Sequence, residues 1–276
     1  MSEGVIVVGG EGYLGARLCP LLRSIGFEVE SVDAGVYGNV PPAYAKDVRE
    51  MEPPADGRPV VWLAAVHREP EGLATDEDRG KWCAALEDIT FTQPEKWVRA
   101  GHPLLFPSSM QVIELMGASA YGYAKRMFES RWTGQRGVQI VRFGTVWGGF
   151  NSAGPVRVET AINSALLGRT LTDNYLAYTT HIDRALTALA HMLMRPFLGT
   201  VENVTDEDAP ISGPEINAVI DTAARERTTW QILFMLERAQ AEKRSDLRKP
   251  REHFTRSLAR FYHLPWPEGT KEEWKP

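Results

Sequence analysis

The chain has 276 residues, 43% of them hydrophobic and 24% charged, with a net charge of -5. That is enough for one large core plus a smaller lobe. It is too little for two full domains with a linker, and it lacks the basic surplus expected of a nucleic-acid or anionic-membrane binder. Two cysteines, Cys19 and Cys83, fall in segments of helical pattern and read as buried or half-buried free thiols, which suits a reducing cytoplasm.

In chain order, Gly4–Val8 is a continuous apolar run, as expected of a strand buried on both faces. Tyr13–Gly26 carries Leu14, Leu18, Leu21, Leu22 and Ile25 at helical spacing. Strands are then predicted at Glu28–Asp33, Tyr44–Val48, Pro59–Ala65, Leu104–Ser109 and Val138–Phe143, with a helix over Tyr121–Trp132 between the last two. This alternation predicts an α/β fold built on a doubly wound parallel sheet of Rossmann type. Beyond about Gly148 the pattern loosens, with helices expected at Val158–Leu167, Ile182–Met194 and Thr228–Asp246. Residues 1–150 read as the main domain, with 179–205 returning to it. Residues 151–178 and 206–276 read as a small C-terminal lobe. No stretch reaches the ~18 consecutive apolar residues of a membrane span. Met1-Ser2-Glu3 lacks the basic opening of a secretory signal, and no group of His, Cys, Asp and Glu has metal-ligand spacing.

Gly9, Gly12 and Gly15 follow the first strand and open the first helix with the spacing G-x-x-G-x-x-G. Glycine here permits a tight turn, close approach of a pyrophosphate to bare backbone, and close packing of helix on sheet. The helix N-terminus adds N–H donors and a positive dipole end. Asp33 ends the second strand, 18 residues beyond Gly15. Its carboxylate can accept from both hydroxyls of an adenosine ribose and repels a 2′-phosphate, so it favours NAD over NADP.

Tyr121 and Lys125 stand four apart, on one face of the predicted helix. A cation that close is expected to lower the phenol pKa, making Tyr121 a general base for a carbinol proton. Ser109, at the carboxyl end of its strand, could hold the same substrate oxygen. Tyr123 is the nearby decoy, since its i+4 partner is Met127.

Taken together, these residues resemble the extended short-chain dehydrogenase/reductases, in particular the NAD-dependent epimerase/dehydratase group acting on nucleotide sugars. Gly9–Gly15 is similar to that group's Thr-Gly-Gly-x-Gly-Phe-Ile-Gly, with Val8 in place of Thr and with Tyr13 and Leu14 at the Phe-Ile positions. Asp47-Val48-Arg49 resembles its segment near the adenine, and Trp62-Leu63-Ala64-Ala65 its His-Leu-Ala-Ala. Ser108-Ser109-Met110-Gln111-Val112 resembles Ser-Ser-x-x-Val-Tyr-Gly, and Tyr121–Lys125 with Glu129 resembles Tyr-Gly-x-Ser-Lys-x-x-x-Glu. Arg142–Gly148, His181-Ile182-Asp183 and Val201–Val204 resemble later blocks, so the likeness runs from about residue 4 to 205. It implies NAD as cofactor, held by Gly9, Gly12, Tyr13, Leu14, Gly15, Asp33, Asp47, Val48, Ala64, Ala65, Tyr121 and Lys125, with Ser109, Tyr121 and Lys125 catalytic. It also implies a homodimer packed through a helix near residues 78–100 and the Tyr121–Trp132 helix, with Trp82, Phe91, Trp97, Phe128 and Trp132 as contact candidates.

The departures fall on the substrate side. The group's helix Asn is Asp88, its sixth-strand Asn is Thr145, and only eleven residues lie between Ser109 and Tyr121. His67, Met110, Gln111, Thr145 and Trp147 are the substrate-side candidates. Met110 and Gln111 stand where 4,6-dehydratases of the group carry acids, so that elimination is not expected. The reading is an epimerase of a sugar, with a nucleotide-linked sugar as the implied substrate. A dehydrogenase or ketoreductase, or a non-catalytic dinucleotide-binding protein, remain the alternatives.

Overall fold

The computed structural model describes residues 4–35, 44–66, 75–113, 119–147, 176–206, 208 and 211–212. Six strands form one parallel sheet: β1 (Gly4–Val8), β2 (Glu28–Val32), β3 (Val60–Trp62), β4 (Leu104–Ser109), β5 (Val138–Phe143) and β9 (Val201–Val204), in the order β2-β1-β3-β4-β5-β9. Leu104 pairs Val138 through Ser109 pairing Phe143, and Ile140 pairs Val201. This is a Rossmann-like α/β sheet. The chain steps from β1 outward to β2, then crosses back to the other side of β1 for β3. That reversal leaves a crevice at the carboxyl ends of β1 and β3, where ligands bind in sheets of this kind.

The apolar runs are continuous because helices cover both faces. With side chains alternating along each strand, Val5, Val7, Val61, Leu105 and Val141 pack on one face with Leu18 and Leu22 of α1 (Gly15–Ser24) and with Ala185 and Leu189 of α5 (Ile182–Leu193). Ile6, Val8, Trp62, Phe106 and Ile140 pack on the other, against Trp97 of α3 (Gln93–Arg99) and Phe128 of α4 (Ala120–Trp132). The Phe106 and Phe128 rings stack with centroids 3.9 Å apart. Smaller pairings are β6 (Thr145–Trp147) with β8 (Thr179–His181), and β7 (Leu176–Ala177) with β10 (Ile211–Ser212).

Several expected elements are corrected. Tyr44–Val48 is not a strand. The Lys46 N–H reaches the Asp33 carbonyl at 2.8 Å, but the Asp47 carboxylate then captures the Arg49 N–H and starts a 3-10 turn over Val48–Glu50. A side chain bonding its own backbone in this way competes with a ladder. β3 is shorter than Pro59–Ala65, because Leu63 and Ala64 both donate to the Val8 carbonyl, at 2.7 and 3.0 Å, and the pairing ends there. The helix near 78–100 is α2 (Asp76–Glu87) and α3, joined by a π-turn over Asp88–Thr92. The Trp62 indole N–H donates to the Ile89 carbonyl inside that turn, at 2.9 Å. Cys83 is exposed, because α2 buries only Leu86, whereas Cys19 is buried. No described helix is long and apolar enough to cross a membrane. The helices expected at Val158–Leu167 and Thr228–Asp246 lie outside the described residues, as does most of the expected C-terminal lobe.

Candidate functional site

Two clusters sit at the carboxyl edge of the sheet. The first is the glycine loop. Gly9 has φ of 83°, and a Cβ there would stand 2.7 Å from the Ala64 nitrogen. A Cβ on Gly15 would stand 2.3 Å from the Gly9 carbonyl oxygen. The loop therefore folds on itself and on the chain leaving β3, which brings Ala64 directly beneath it. At Gly12 a Cβ would meet only the Gly9 oxygen, at 3.3 Å, so the outer surface of the loop is open backbone. α1 begins here with no side-chain cap on Leu14. An uncapped helix start beside bare backbone suits an anion such as a pyrophosphate. Tyr13 is half-buried, with the Arg17 guanidinium over its ring.

Asp33 follows β2 and turns its carboxylate toward this loop. Oδ2 accepts from the Glu11 N–H at 3.1 Å and Oδ1 from the Gly35 N–H at 2.9 Å. A carboxylate has about four acceptor sites, so capacity remains for ribose hydroxyls. Asp47 and Val48 are placed differently. The Arg49 guanidinium grips the Asp47 carboxylate and holds its pKa below the usual value, and Val48 is buried in the core. Ala65 lies half-buried just beyond Ala64.

The second cluster joins the ends of β4 and α4. Ser109 accepts the Gln111 N–H on its Oγ at 3.2 Å, opening a 3-10 turn over Met110–Val112. That bond leaves the hydroxyl hydrogen of Ser109 available for donation. Ser119 caps α4, accepting the Gly122 N–H at 2.9 Å, and donates to Gln111 Oε1 at 2.9 Å. A Cβ on Gly122 would stand 2.9 Å from the Gln111 carbonyl oxygen, so the first turn of α4 lies hard against the turn after Ser109. This brings the Ser109 turn and the Tyr121 turn together.

Tyr121, Lys125 and Glu129 form one row, four residues apart, on the inner face of α4. Lys125 is only 2% exposed. Its ammonium donates to the Pro107 carbonyl at 2.8 Å, lies 4.2 Å above the Phe106 ring, and is 5.6 Å from the centre of the Tyr121 ring. Burial pushes the Lys125 pKa down to about 7, with Glu129 pulling the other way. Burial also pushes the Tyr121 phenol above its ordinary value. This corrects the expected direction for Tyr121 in the protein alone, because burial disfavours the phenolate. Tyr123 is 66% exposed and faces away. The sequence offered no signal for the Pro107 carbonyl or the Phe106 ring as partners of Lys125, since both come from a strand far away in the chain.

Among the substrate-side candidates, Met110 is 4% exposed and packs inward, so it is set aside as a contact. The Gln111 side chain is engaged by Ser119. Thr145 is half-buried, and its N–H donates to the Tyr178 carbonyl at 2.7 Å. Trp147 pairs through its backbone with His181. His67 lies outside the described residues. Among those residues no group of His, Cys, Asp and Glu could hold a metal ion.

No family model and no curated protein sequence matches this chain. Solved structures do. An epimerase from Methanothermobacter thermautotrophicus superposes with a TM-score of 0.60 at 15% identity, covering 82% of this chain and 78% of that one. A UDP-glucose 4-epimerase from Thermus thermophilus, solved with NAD, matches with a TM-score of 0.58 at 19% identity, over 81% and 84%. An NAD-dependent NDP-hexosamine 5,6-dehydratase of tunicamycin biosynthesis matches with a TM-score of 0.63 at 20% identity, over 81% and 82%. Over about four-fifths of its length, the chain shares the Rossmann-like α/β fold of these three solved structures.

Proposed function

We propose that this chain binds NAD and epimerises a sugar, a nucleotide-linked one, by transient oxidation of a carbinol. The observation that carries the reading is the pairing of the two clusters at one sheet edge: an open glycine loop facing Asp33, and the Ser109 turn held against the Tyr121–Lys125 face of α4. The structural neighbours include a UDP-glucose 4-epimerase in complex with NAD and another bound to UDP-glucose. Gly9, Gly12, Tyr13, Leu14 and Gly15 would hold the pyrophosphate. Asp33 would take the adenosine ribose, and the Lys125 ammonium the nicotinamide ribose. The chemistry that bound NAD would supply is reversible hydride transfer at the substrate carbon.

The chain's own residues manage the proton. The Ser109 hydroxyl donates to the carbinol oxygen and orients it, and Tyr121 removes its proton. The positive charge that oxidised NAD would bring to the site would favour the Tyr121 phenolate and oppose the upward pull of burial. If the hydride returns to the opposite face of the carbon, an isomer results and NAD is not consumed. A second reading, net dehydrogenation, is favoured by one feature. Only eleven residues separate Ser109 from Tyr121, and the Gln111–Ser119 bond ties the ends of that segment together, which limits the loop that would meet a large substrate.

Incubating the chain and NAD with a panel of nucleotide sugars separates the readings. An isomeric product without accumulation of reduced cofactor supports epimerisation, and net reduced cofactor supports the second reading. The same panel should yield no 4-keto-6-deoxy product. The two positions after Ser109 hold a buried thioether and an engaged amide, and neither does acid–base work near neutral pH. A robust loss of water would sink that claim.

Asp33→Ala should narrow or reverse a preference for NAD over NADP, since it removes ribose acceptors and a repulsive charge. Tighter binding of NADP by the unaltered chain would count against the assignment. We further propose a homodimer through the helical segment near residues 78–100 and α4. Trp97 and Phe128 are fully buried in the core and cannot contribute, so the contact falls to Trp82, Phe91 and Trp132, all half-buried. Light scattering at micromolar concentration should report twice the chain mass, and a monomer would exclude it.

A further inference from the structure

Glu11 occupies the variable position of the glycine loop, between Gly10 and Gly12, where a carboxylate is unhelpful for binding phosphate. Its placement is specific. The Glu11 N–H donates to Asp33 Oδ2 at 3.1 Å, and its own Oε1 accepts from the Ser31 hydroxyl at 2.7 Å. Ser31 precedes Asp33 by two residues, so both side chains leave the same face of the β2 segment. A Cβ on Gly10 would stand 2.2 Å from Ser31 Oγ, so the loop lies directly on the hydroxyl that holds Glu11. Glu11 is thereby turned toward β2, beside Asp33, and both residues are half-buried. Lys46 and Arg58 both pair with Glu30, whose side chain leaves the other face of β2, so they are not placed to receive a phosphate on the Ser31–Asp33 side.

We infer that Glu11 is a second specificity-determining residue of the dinucleotide site: its charge acts with that of Asp33 to reject a 2′-phosphorylated dinucleotide. The inference rests on the proposed reading of the glycine loop and Asp33 as the adenosine end of an NAD site. The two carboxylates divide the work. Asp33 supplies acceptors for the ribose hydroxyls as well as charge. Glu11 already spends one oxygen on Ser31 and contributes mainly charge, in a half-buried setting where salt screens it less than on open surface. A 2′-phosphate would bring up to two further negative charges against both.

The test is calorimetric titration of the full chain with NAD and NADP, for the unaltered protein and for Glu11→Gln, Asp33→Asn and the double variant. Glutamine keeps the backbone N–H to Asp33 and an oxygen to accept from Ser31, so both of these contacts survive while the charge is removed. Glu11→Gln is expected to tighten NADP by about fivefold or more, the scale of one unit charge acting through a partly screened site. NAD affinity should stay within about twofold of the unaltered value, because Glu11 contributes charge and not ribose acceptors. The double variant should shift the preference further than either single one. If Asp33→Asn moves the preference and Glu11→Gln does not, the inference about Glu11 fails while the NAD site stands. Equal weakening of both cofactors by Glu11→Gln and by Ser31→Ala would make Glu11 a loop brace and would also overturn it. Failure of the unaltered chain to bind NAD would remove the site reading, and this inference with it.

Discussion

Tyr121→Phe is expected to cut turnover by about a hundredfold or more, the usual scale for losing a general acid–base group. Folding and NAD affinity should stay nearly unchanged. Tyr121 lies in the first turn of α4, on the face that carries Lys125 inward. The Ser119 cap and the close approach of Gly122 to the Gln111 carbonyl fix that turn against the segment that holds Ser109. Phenylalanine keeps the ring and its packing, so the loss reads the hydroxyl alone. Tyr123→Phe is the control: its side chain is 66% exposed on the opposite side of the helix, and it should retain near-full turnover. The measurement is a steady-state rate on whichever panel substrate turns over, together with NAD titration and thermal melting of both variants. Equal loss in the two would mean that the inner face of α4 is not the catalytic face.

The second large effect is on stability. Glu129→Gln should lower the unfolding free energy by about 3 kcal/mol, the range for breaking one side of a buried ion pair. Glu129 has a side chain 5% exposed, and its carboxylate receives Arg142 through two nitrogens, with Nε at 3.0 and 3.1 Å from the two oxygens. The pair ties α4 to β5, one helical turn beyond Lys125. Removing the carboxylate leaves the Arg142 guanidinium, 25% exposed, without its anion. It also takes away the charge that holds the buried Lys125 ammonium up against desolvation. A Glu129→Leu, Arg142→Met double variant should recover much of the loss, because an apolar pair of similar volume avoids the desolvation cost altogether. Urea unfolding of the three proteins checks this. A single-variant loss below about 1 kcal/mol, the worth of an exposed pair, would mean that water screens the site.

The sequence by itself determined the elements whose signals are local. β1, β4 and β5 stand at their expected bounds because short, mainly apolar runs, ended by Gly, Ser or Phe-Gly, leave little choice once both faces are covered. The glycine loop was readable because Gly9 and Gly15 answer backbone requirements that no other residue meets, while Gly12 leaves the outer surface open. The four-residue spacing of Tyr121, Lys125 and Glu129 placed them on one helix face before any packing was known.

Only the tertiary structure decided the rest, because it turns on partners remote in the chain. Tyr44–Val48 has strand-like residues, yet the Asp47 side chain takes Arg49 and a 3-10 turn results. Trp97 and Phe128 were expected as dimer contacts, but packing against Trp62 and Phe106 sends them to the core. Lys125 was expected to act on Tyr121, but its ammonium goes to the Pro107 carbonyl, 18 residues earlier, and burial then sets the direction of both titrations. Periodicity and spacing fix which side chains share a face. How deeply a face is buried, and which distant backbone group meets it there, depends on desolvation and long-range contact, and no local pattern encodes either.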